Sequence, residues 1–397
     1  MRSGWRRTLV LFSCASVVEV VAYGQLAAFT PLHLPRLGVA TADVAFAVGA
    51  LTAGANVLGI LFLPFWGALA DRYGRKLLII RSFAATGSGL AIAALARNVW
   101  QFGAARALTA LNLGNSGLMM TSLAEVTPPA RIGFAYGVLN GAGPLGALAG
   151  PLIGGPLVDR YGFAAVLAVD AVLLLGVVLL LTFGYRDAYE APPSLPPLLV
   201  SALGGAALLW RSPRLRVLFP ALLVTFAGWM IVFIYTPLAI DRLHGGSDLA
   251  TAIGIVLGAG GLVTLVASPG AGALADRLGL ERTYFAIGIA SGAAWLLPWA
   301  ARDYGTFLIA WALANGIGSG LFSLSFNLLS RSTSDATRAR VMTFAFLPLN
   351  LGFVVGPLLG SVVASTDPFA IFPLAAVLEL LGLALVAVSL RQPLAAD

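Results

Sequence analysis

The chain has 397 residues, of which 59% are hydrophobic and only 10% are charged, with a net charge of +7. A soluble domain carries about 25% charged residues, so this composition excludes a soluble enzyme and a nucleic-acid-binding protein. The single cysteine, Cys14, excludes an intrachain disulfide and a multi-cysteine metal site. Arg75 precedes Lys76, so the phosphate-cradling Gly-Lys-Ser/Thr loop that ATP would need is missing. We expect a membrane protein without cofactor or metal.

Apolar runs follow one another along the whole chain, bounded by glycine, proline and charged residues. Each run is long enough, at about 1.5 Å per residue, to cross about 30 Å of hydrocarbon as a helix. The runs are continuous rather than alternating, which argues against membrane strands. The sequence therefore predicts an all-α integral membrane fold with twelve spans, near 8–30, 43–66, 77–97, 100–126, 132–158, 163–185, 214–240, 249–271, 281–301, 304–330, 341–365 and 368–390.

The basic residues are unevenly divided between the two sides of these spans. With the N-terminus in the cytoplasm, the outer loops hold only Arg36, Arg97, Arg160, Arg242 and Arg302. Because cytoplasmic loops carry an excess of Lys and Arg, we expect both termini to be cytoplasmic and the number of spans to be even. The same asymmetry accounts for the positive net charge without a nucleic-acid partner.

Two sequence landmarks occur twice at nearly the same spacing. The segment GALADRYG at 67–74 recurs as GALADRLG at 272–279, 205 positions later. The pattern Gly-x-x-x-Gly-Pro-x-x-Gly at 146–154 recurs at 352–360, 206 positions later. Matching landmarks of this kind indicate a duplicated unit of six helices. We predict two bundles, 1–185 and 214–397, joined by a cytoplasmic linker, 186–213, that contains a helix at the membrane surface.

These motifs resemble those of the major facilitator superfamily. The Gly-x-x-x-Asp-Arg-x-Gly-Arg-Lys loop that begins at Gly67 is that family's signature. The glycines and proline at 146–155 resemble the signature of its proton-coupled efflux antiporters. Arg106 and the two residues after it resemble the antiporters' arginine motif, although Thr109 and Ala110 replace the usual Gln and Gly. The resemblance implies two six-helix bundles that move a small molecule by alternating access, act as a monomer and catalyse no reaction.

The resemblance also implies a gate at the cytoplasmic ends of the helices. Carboxylates such as Asp71 and Asp276 can accept hydrogen bonds from the free N–H groups of a neighbouring helix start. Ordinary anchoring to the membrane surface is the alternative for Arg75 and Lys76. The predicted gating residues are Gly67, Asp71, Arg72, Gly74, Arg75, Glu125, Arg131, Asp276 and Arg277. Close helix packing is predicted for Gly146, Gly150, Pro151, Gly154, Gly155, Gly356 and Pro357.

Ionisable residues inside the spans are the sharpest functional signal. A charge facing lipid costs about 3 kcal/mol or more, so such residues are expected to face a cavity or a partner. In the family that this chain resembles, the first and fourth helices line the central cavity, which would place Glu19 and Arg106 there. The predicted proton-coupling residues are Glu19, Arg106 and Asp170. Glu19 is the predicted proton carrier, with a structural salt bridge or a neutral acid as the alternative. Asp170 and Glu379 are expected to be structural, although either remains an alternative proton site.

An amphipathic substrate would need aromatic walls with a few polar groups. The predicted substrate-binding residues are Glu19, Tyr23, Asn112, Asn115, Phe226, Trp229, Phe233 and Asn315. Simple helix packing is the alternative for the aromatic residues. The predicted function is a proton-coupled antiporter that exports drugs or metabolites. A facilitator or symporter of a nutrient, sugar or lipid, and a membrane sensor without transport, are the alternatives.

Overall fold

The computed structural model describes residues 4–187, 212–333 and 344–393. The described residues form an all-helical bundle in which ten helices are long and apolar enough to cross a membrane. Most of the predicted linker at 186–213 lies outside the described residues. The helices of the N-terminal half are α1 (Gly4–His33), α2 (Val44–Tyr73), α3 (Arg75–Leu95), α4 (Val99–Thr109), α5 (Asn115–Val126), α6 (Ile132–Tyr161) and α7 (Phe163–Gly184). Those of the C-terminal half are α8 (Pro213–His244), α9 (Leu249–Leu278), α10 (Leu280–Ala294), α11 (Leu296–Ala300), α12 (Tyr304–Arg331), α13 (Leu347–Thr366) and α14 (Ile371–Leu390).

Two of the predicted spans are broken helices rather than continuous ones. The fourth span, predicted at 100–126, consists of α4, a 3₁₀ turn (Ala110–Asn112) and α5. The break follows from Gly114, whose φ of 92° is in the left-handed region that an α-helix cannot include. The ninth span, predicted at 281–301, consists of α10 and α11, with Trp295 between them. Ten continuous helices and two broken ones account for the twelve predicted crossings.

The glycines of the repeated motif let helices pack backbone to backbone within each half. A Cβ atom added at Gly150 would lie 2.8 Å from the carbonyl oxygen of Val21, so α6 lies directly against α1. A Cβ at Gly356 would lie 2.6 Å from the carbonyl oxygen of Ala227, so α13 lies in the same way against α8. Small residues allow such close approach between membrane helices. The duplicated motif therefore builds the same helix pair in both halves.

Close contacts between the halves run from one end of the bundle to about the middle of α6 and α9. We call the end with Gly4 and Leu390 the tail end and the opposite end, where α1 finishes and α2 and α9 begin, the head end. At the head end, a Cβ at Gly155 of α6 would lie 2.4 Å from the carbonyl oxygen of Ala250 on α9. The hydroxyl of Tyr235 on α8 lies 3.1 Å from the carbonyl oxygen of Ala45 on α2. The described state is closed at the head end by these contacts.

Glycines toward the tail end have different surroundings. A Cβ added at Gly67 on α2, Gly141 on α6 or Gly272 on α9 would meet no atom within 4 Å. The acidic side chains of Asp71 and Asp276, at the tail ends of α2 and α9, are exposed. The two halves thus approach each other closely at the head end, whereas the signature glycines at the tail end border open space.

We expect Gly155→Ala to weaken closure at the head end, because the added methyl group cannot fit against the backbone of Ala250. Overpacking of this kind costs about 1–3 kcal/mol, so the apparent melting temperature of the detergent-purified protein should fall by several degrees. Gly137→Ala in the same helix is the control, since its Cβ would meet nothing within 4 Å. Equal melting temperatures for the two variants would contradict the described contact.

Candidate functional site

Glu19 lies in the middle of α1 and is almost fully buried. Its carboxyl oxygen Oε1 accepts a hydrogen bond from the amide of Asn112. Asn112 is the last residue of the 3₁₀ turn, and Asn115 is the first residue of α5, so both flank the break in the fourth span. A buried carboxyl group requires such a partner because hydrocarbon offers none. The break therefore brings amide groups to the acid of the first span.

Tyr23 supports the same break from one turn further along α1. Its hydroxyl donates a hydrogen bond to the carbonyl oxygen of Thr109, at 2.7 Å. Thr109 is the last residue of α4, where a helix leaves carbonyl groups without intrahelical partners. Because Glu19 and Tyr23 are four residues apart, they share one face of α1 and hold both sides of the turn.

Several polar atoms of the fourth span lack a hydrogen-bond partner in the described part of the chain. Within the described residues, Oδ1 of Asn112 and both amide atoms of Asn115 are buried without a hydrogen-bond partner. Arg106 is half-buried on α4, and its guanidinium Nη2 lies 3.4 Å from the hydroxyl of Thr52. Its Nε has no partner in the described part of the chain. These amide and guanidinium groups can form hydrogen bonds with water or with a polar group of a substrate.

A cavity of about 200 Å³ opens beside Glu19 in the N-terminal half. Its wall includes three polar residues that the sequence analysis did not select, Ser16, Ser116 and Asn140. Ser16 could have been found from its position one turn before Glu19 on the same helix face. Asn140 could have been found as a polar residue in the otherwise apolar fifth span. Met119 and Met120 of α5 provide an adaptable apolar wall.

The aromatic residues predicted on α8 belong to a larger cluster in the C-terminal half. Trp229 stacks on Phe233 at 5.8 Å between ring centroids and lies 5.1 Å from Phe322. Phe226 is fully buried against Phe322 and Phe326, so it supports the cluster rather than lining an open surface. Phe322 and Phe326 of α12 were missed, although their spacing of four places them on one helix face. Trp229 and Phe233 are half-buried.

The predicted Asn315 is placed differently from the other amides. Its side chain donates a hydrogen bond to the hydroxyl of Thr264, at 3.1 Å. This bond joins α12 to α9, so the amide takes part in contacts within the C-terminal half. The structure brings Glu19, Tyr23, Asn112 and Asn115 together and leaves Asn315 outside that group.

The two other buried acids differ in how their oxygens are satisfied. Glu379 of α14 accepts a hydrogen bond from the indole N–H of Trp295, at 2.7 Å. Trp295 occupies the break in the ninth span, so this acid ties α14 to that break. Asp170 of α7 is buried, and its Oδ2 has no partner within the described residues. Glu379 thus has a structural partner, whereas Asp170 has an oxygen without one.

The predicted gating residues lie at the tail end. The guanidinium of Arg75, at the start of α3, forms a salt bridge of 2.5 Å with Glu125 at the end of α5. The next residue, Lys76, donates its backbone N–H to Asp187, at 2.8 Å. These bonds join three helix ends inside the N-terminal half, so Arg75 has a specific partner beyond anchoring. Four other predicted gating residues are exposed in this state: Asp71, Arg131, Asp276 and Arg277.

Comparison with known proteins identifies the family of this twelve-span bundle. The model of the Major Facilitator Superfamily matches residues 11–263 and again residues 246–396. The chain belongs to the Major Facilitator Superfamily. It is therefore a multi-pass membrane transporter and not an enzyme, and the family predicted from the sequence motifs is confirmed.

Several named proteins of similar length resemble this chain. The multidrug resistance protein MdtG of Yersinia enterocolitica is 30% identical over 384 residues, which cover 95% of this chain and 91% of the relative. MdtG of Serratia proteamaculans is 30% identical over 387 residues, covering 95% and 92%. A bacterial homologue of the human lysosomal transporter Spinster, in an inward-facing and occupied conformation, shares the fold with a TM-score of 0.79 at 13% identity, covering 99% and 98%. The nucleoside transporter NupG does so with a TM-score of 0.78 at 14% identity, covering 97% and 100%.

We expect Tyr23→Phe to destabilise the break in the fourth span, because the carbonyl of Thr109 would lose its partner in the membrane. An unpaired buried polar group costs about 1–3 kcal/mol, so the apparent melting temperature should fall. Tyr73→Phe, which alters an exposed tyrosine at the end of α2, is the control and should leave it unchanged. Stability of Tyr23→Phe equal to that of the unaltered protein would show that the hydroxyl does not hold the break.

Proposed function

We propose that this superfamily member is a proton-coupled antiporter that exports small amphipathic molecules. Two MdtG relatives at 30% identity carry the name multidrug resistance protein, which supports export of foreign or toxic compounds. The methionines of the cavity wall, together with its polar side chains Ser16, Ser116 and Asn140, fit a molecule with both kinds of surface. Protons and the small molecule are the two partners of the cycle.

Glu19 carries this proposal, because it is an acid that lines the cavity and is held at a break in a membrane helix. An ionised carboxylate in this position is energetically costly because hydrocarbon does not solvate it. Its protonation state therefore depends on what occupies the cavity. Bound substrate favours release of the proton when it satisfies the carboxylate, and departure of the substrate favours proton uptake. Because the proton and the substrate compete for this carboxylate, the protein exchanges protons for substrate across the membrane.

The positive-inside rule supports a cytoplasmic tail end. With that orientation, the head end faces outside, and the described state is closed to the outside. The carboxylate of Asp71, at the tail end of α2, is proposed to help hold the opposite state, in which the tail end closes. The protein is proposed to work as a monomer, since one chain contains both halves and the cavity between its own helices.

We expect Glu19→Gln to abolish proton-driven transport while leaving the fold intact, because the amide keeps the size of the side chain but cannot ionise. Uptake of fluorescent amphipathic dyes into proteoliposomes under an imposed pH gradient measures this effect. Glu379→Gln is the matched control, since its amide oxygen can still accept the bond from Trp295. Undiminished transport by Glu19→Gln would remove this residue from coupling, and loss in Glu379→Gln alone would move the coupling role there.

The direction of the gradient separates export by antiport from the alternative modes. An antiporter should take dye up into vesicles that are acidic inside, because protons leaving the lumen drive the dye inward. A symporter should instead require the opposite gradient, and a facilitator should respond to neither. Gradient-independent uptake, or binding without uptake, would contradict the proposed antiport.

A further inference from the structure

The sequence holds a third copy of the signature turn, at the opposite end of the bundle. Residues 155–162 read GPLVDRYG, and six of these eight residues are identical to GALADRYG at 67–74. The copies lie 88 residues apart, at the ends of the second and fifth spans. Because these spans run in opposite directions, the first copy lies at the tail end and the third copy at the head end. Inverted repeats of three helices produce this arrangement.

All three copies fold into the same turn. Gly74, Gly162 and Gly279 have φ values of 89°, 83° and 92°, with ψ values of 150°, 156° and 141°. In each copy, the glycine N–H donates to the carbonyl group four residues earlier, and the next helix begins directly after the glycine. The acid of each copy therefore occupies an equivalent position in the last turn of its helix, two residues before the helix ends.

At the head end, the acid of the third copy reaches across to the other half. Asp159 on α6 accepts hydrogen bonds from the backbone N–H groups of Ala250, at 3.1 Å, and Thr251, at 2.8 Å. The hydroxyl of Thr251 donates a third bond to it, at 2.6 Å. These N–H groups belong to the first turn of α9, where a helix has no acceptors of its own and its dipole favours a negative charge.

The residue that precedes α9 does not cap the first turn of this helix. Asp248 is the N-cap residue of α9, yet its side chain makes no capping hydrogen bond there. Its carboxylate lies 3.0 Å from the imidazole of His244 instead. The start of α9 is thus capped by an acid from the other half of the protein rather than by its own neighbour.

We propose that Asp159 is a head-end latch, a positioning residue that stabilises the head-closed state by capping α9 and must release α9 when the head end opens. The latch rests on the alternating access of the proposed function but not on Glu19 or on proton coupling. In the opposite state, the halves separate at the head end and the bonds to Ala250 and Thr251 cannot persist. The same turn at the tail end, with Asp71, is positioned to act in the other state.

A cysteine reporter at the head end tests the latch directly. In a Cys14→Ser background, Ser361→Cys introduces a thiol on α13, at a buried position packed against Gly49 of the other half. The rate of labelling by a membrane-impermeant maleimide from the head side reports how often this end opens. We expect Asp159→Asn to raise the labelling rate about fivefold or more, because the lost charge destabilises the closed state.

Two control variants show whether a change in the labelling rate is specific to Asp159. Asp241→Asn removes an exposed acid near the head end of α8 and should leave labelling unchanged. Asp71→Asn removes the equivalent acid at the tail end and should lower labelling or leave it unchanged. If both Asp159→Asn and Asp71→Asn raise labelling alike, the effect is a general loss of packing and the latch is overturned.

A milder variant keeps the test decisive if Asp159→Asn fails to fold. Thr251→Val deletes the hydroxyl donor and leaves the carboxylate and both backbone bonds in place, so we expect a smaller rise in labelling. Unchanged labelling in every correctly folded variant overturns the latch. Because labelling needs no pH gradient, a failure of the latch is distinguishable from a failure of proton coupling, which Glu19→Gln measures separately.

Discussion

The scarcity of hydrogen-bond partners in the membrane interior governs this structure. Any backbone group released by a helix break must be satisfied by the protein itself, since hydrocarbon provides neither donors nor acceptors. The break in the fourth span meets this demand with the first span, where Tyr23 binds the carbonyl of Thr109 and Glu19 binds Asn112. The acid and the break depend on each other, because each supplies what the other lacks. A cavity lined by Glu19 and Tyr23 lies beside this break.

Helix α6 packs against a neighbour in each half of the protein through glycine residues. Gly150 lies against Val21 of α1 within one half, and Gly155, just over one turn later, lies against Ala250 of the other half. Contacts without side chains place backbone against backbone, and they can separate without rotamer changes or broken side-chain packing. The glycine-rich motif therefore fits a helix that holds one neighbour throughout the cycle and releases the other.

The sequence could predict what depends on long patterns, but not what a single residue conformation decides. Apolar runs gave the crossings because hydrocarbon thickness sets their length, whereas the left-handed Gly114 that breaks the fourth run has no compositional signature. Spacing placed Glu19 and Tyr23 on one face, and the structure shows what that face contacts. The hydrogen-bond partner of Asn315 was not predictable, because its bond to Thr264 depends on how α9 and α12 pack. Burial of Phe226 behind Phe322 has the same origin.

The three signature turns distribute carboxylates unequally between the two ends. Asp71 and Asp276 both lie at the tail end, whereas Asp159 lies at the head end. The position in the second half that corresponds to Asp159 holds Ser365, at the same spacing of 206 positions that relates the two glycine-proline motifs. The nearby Asp367 accepts the N–H of Phe369 and contacts Arg242, so its carboxylate serves its own half. Head-end closure therefore combines one capping acid with close backbone contacts at glycines, whereas the tail end has an acid from each half. An unequal division of this kind gives the two facing states different intrinsic stabilities, and a bound proton or substrate shifts that balance through its differential affinity for the two states.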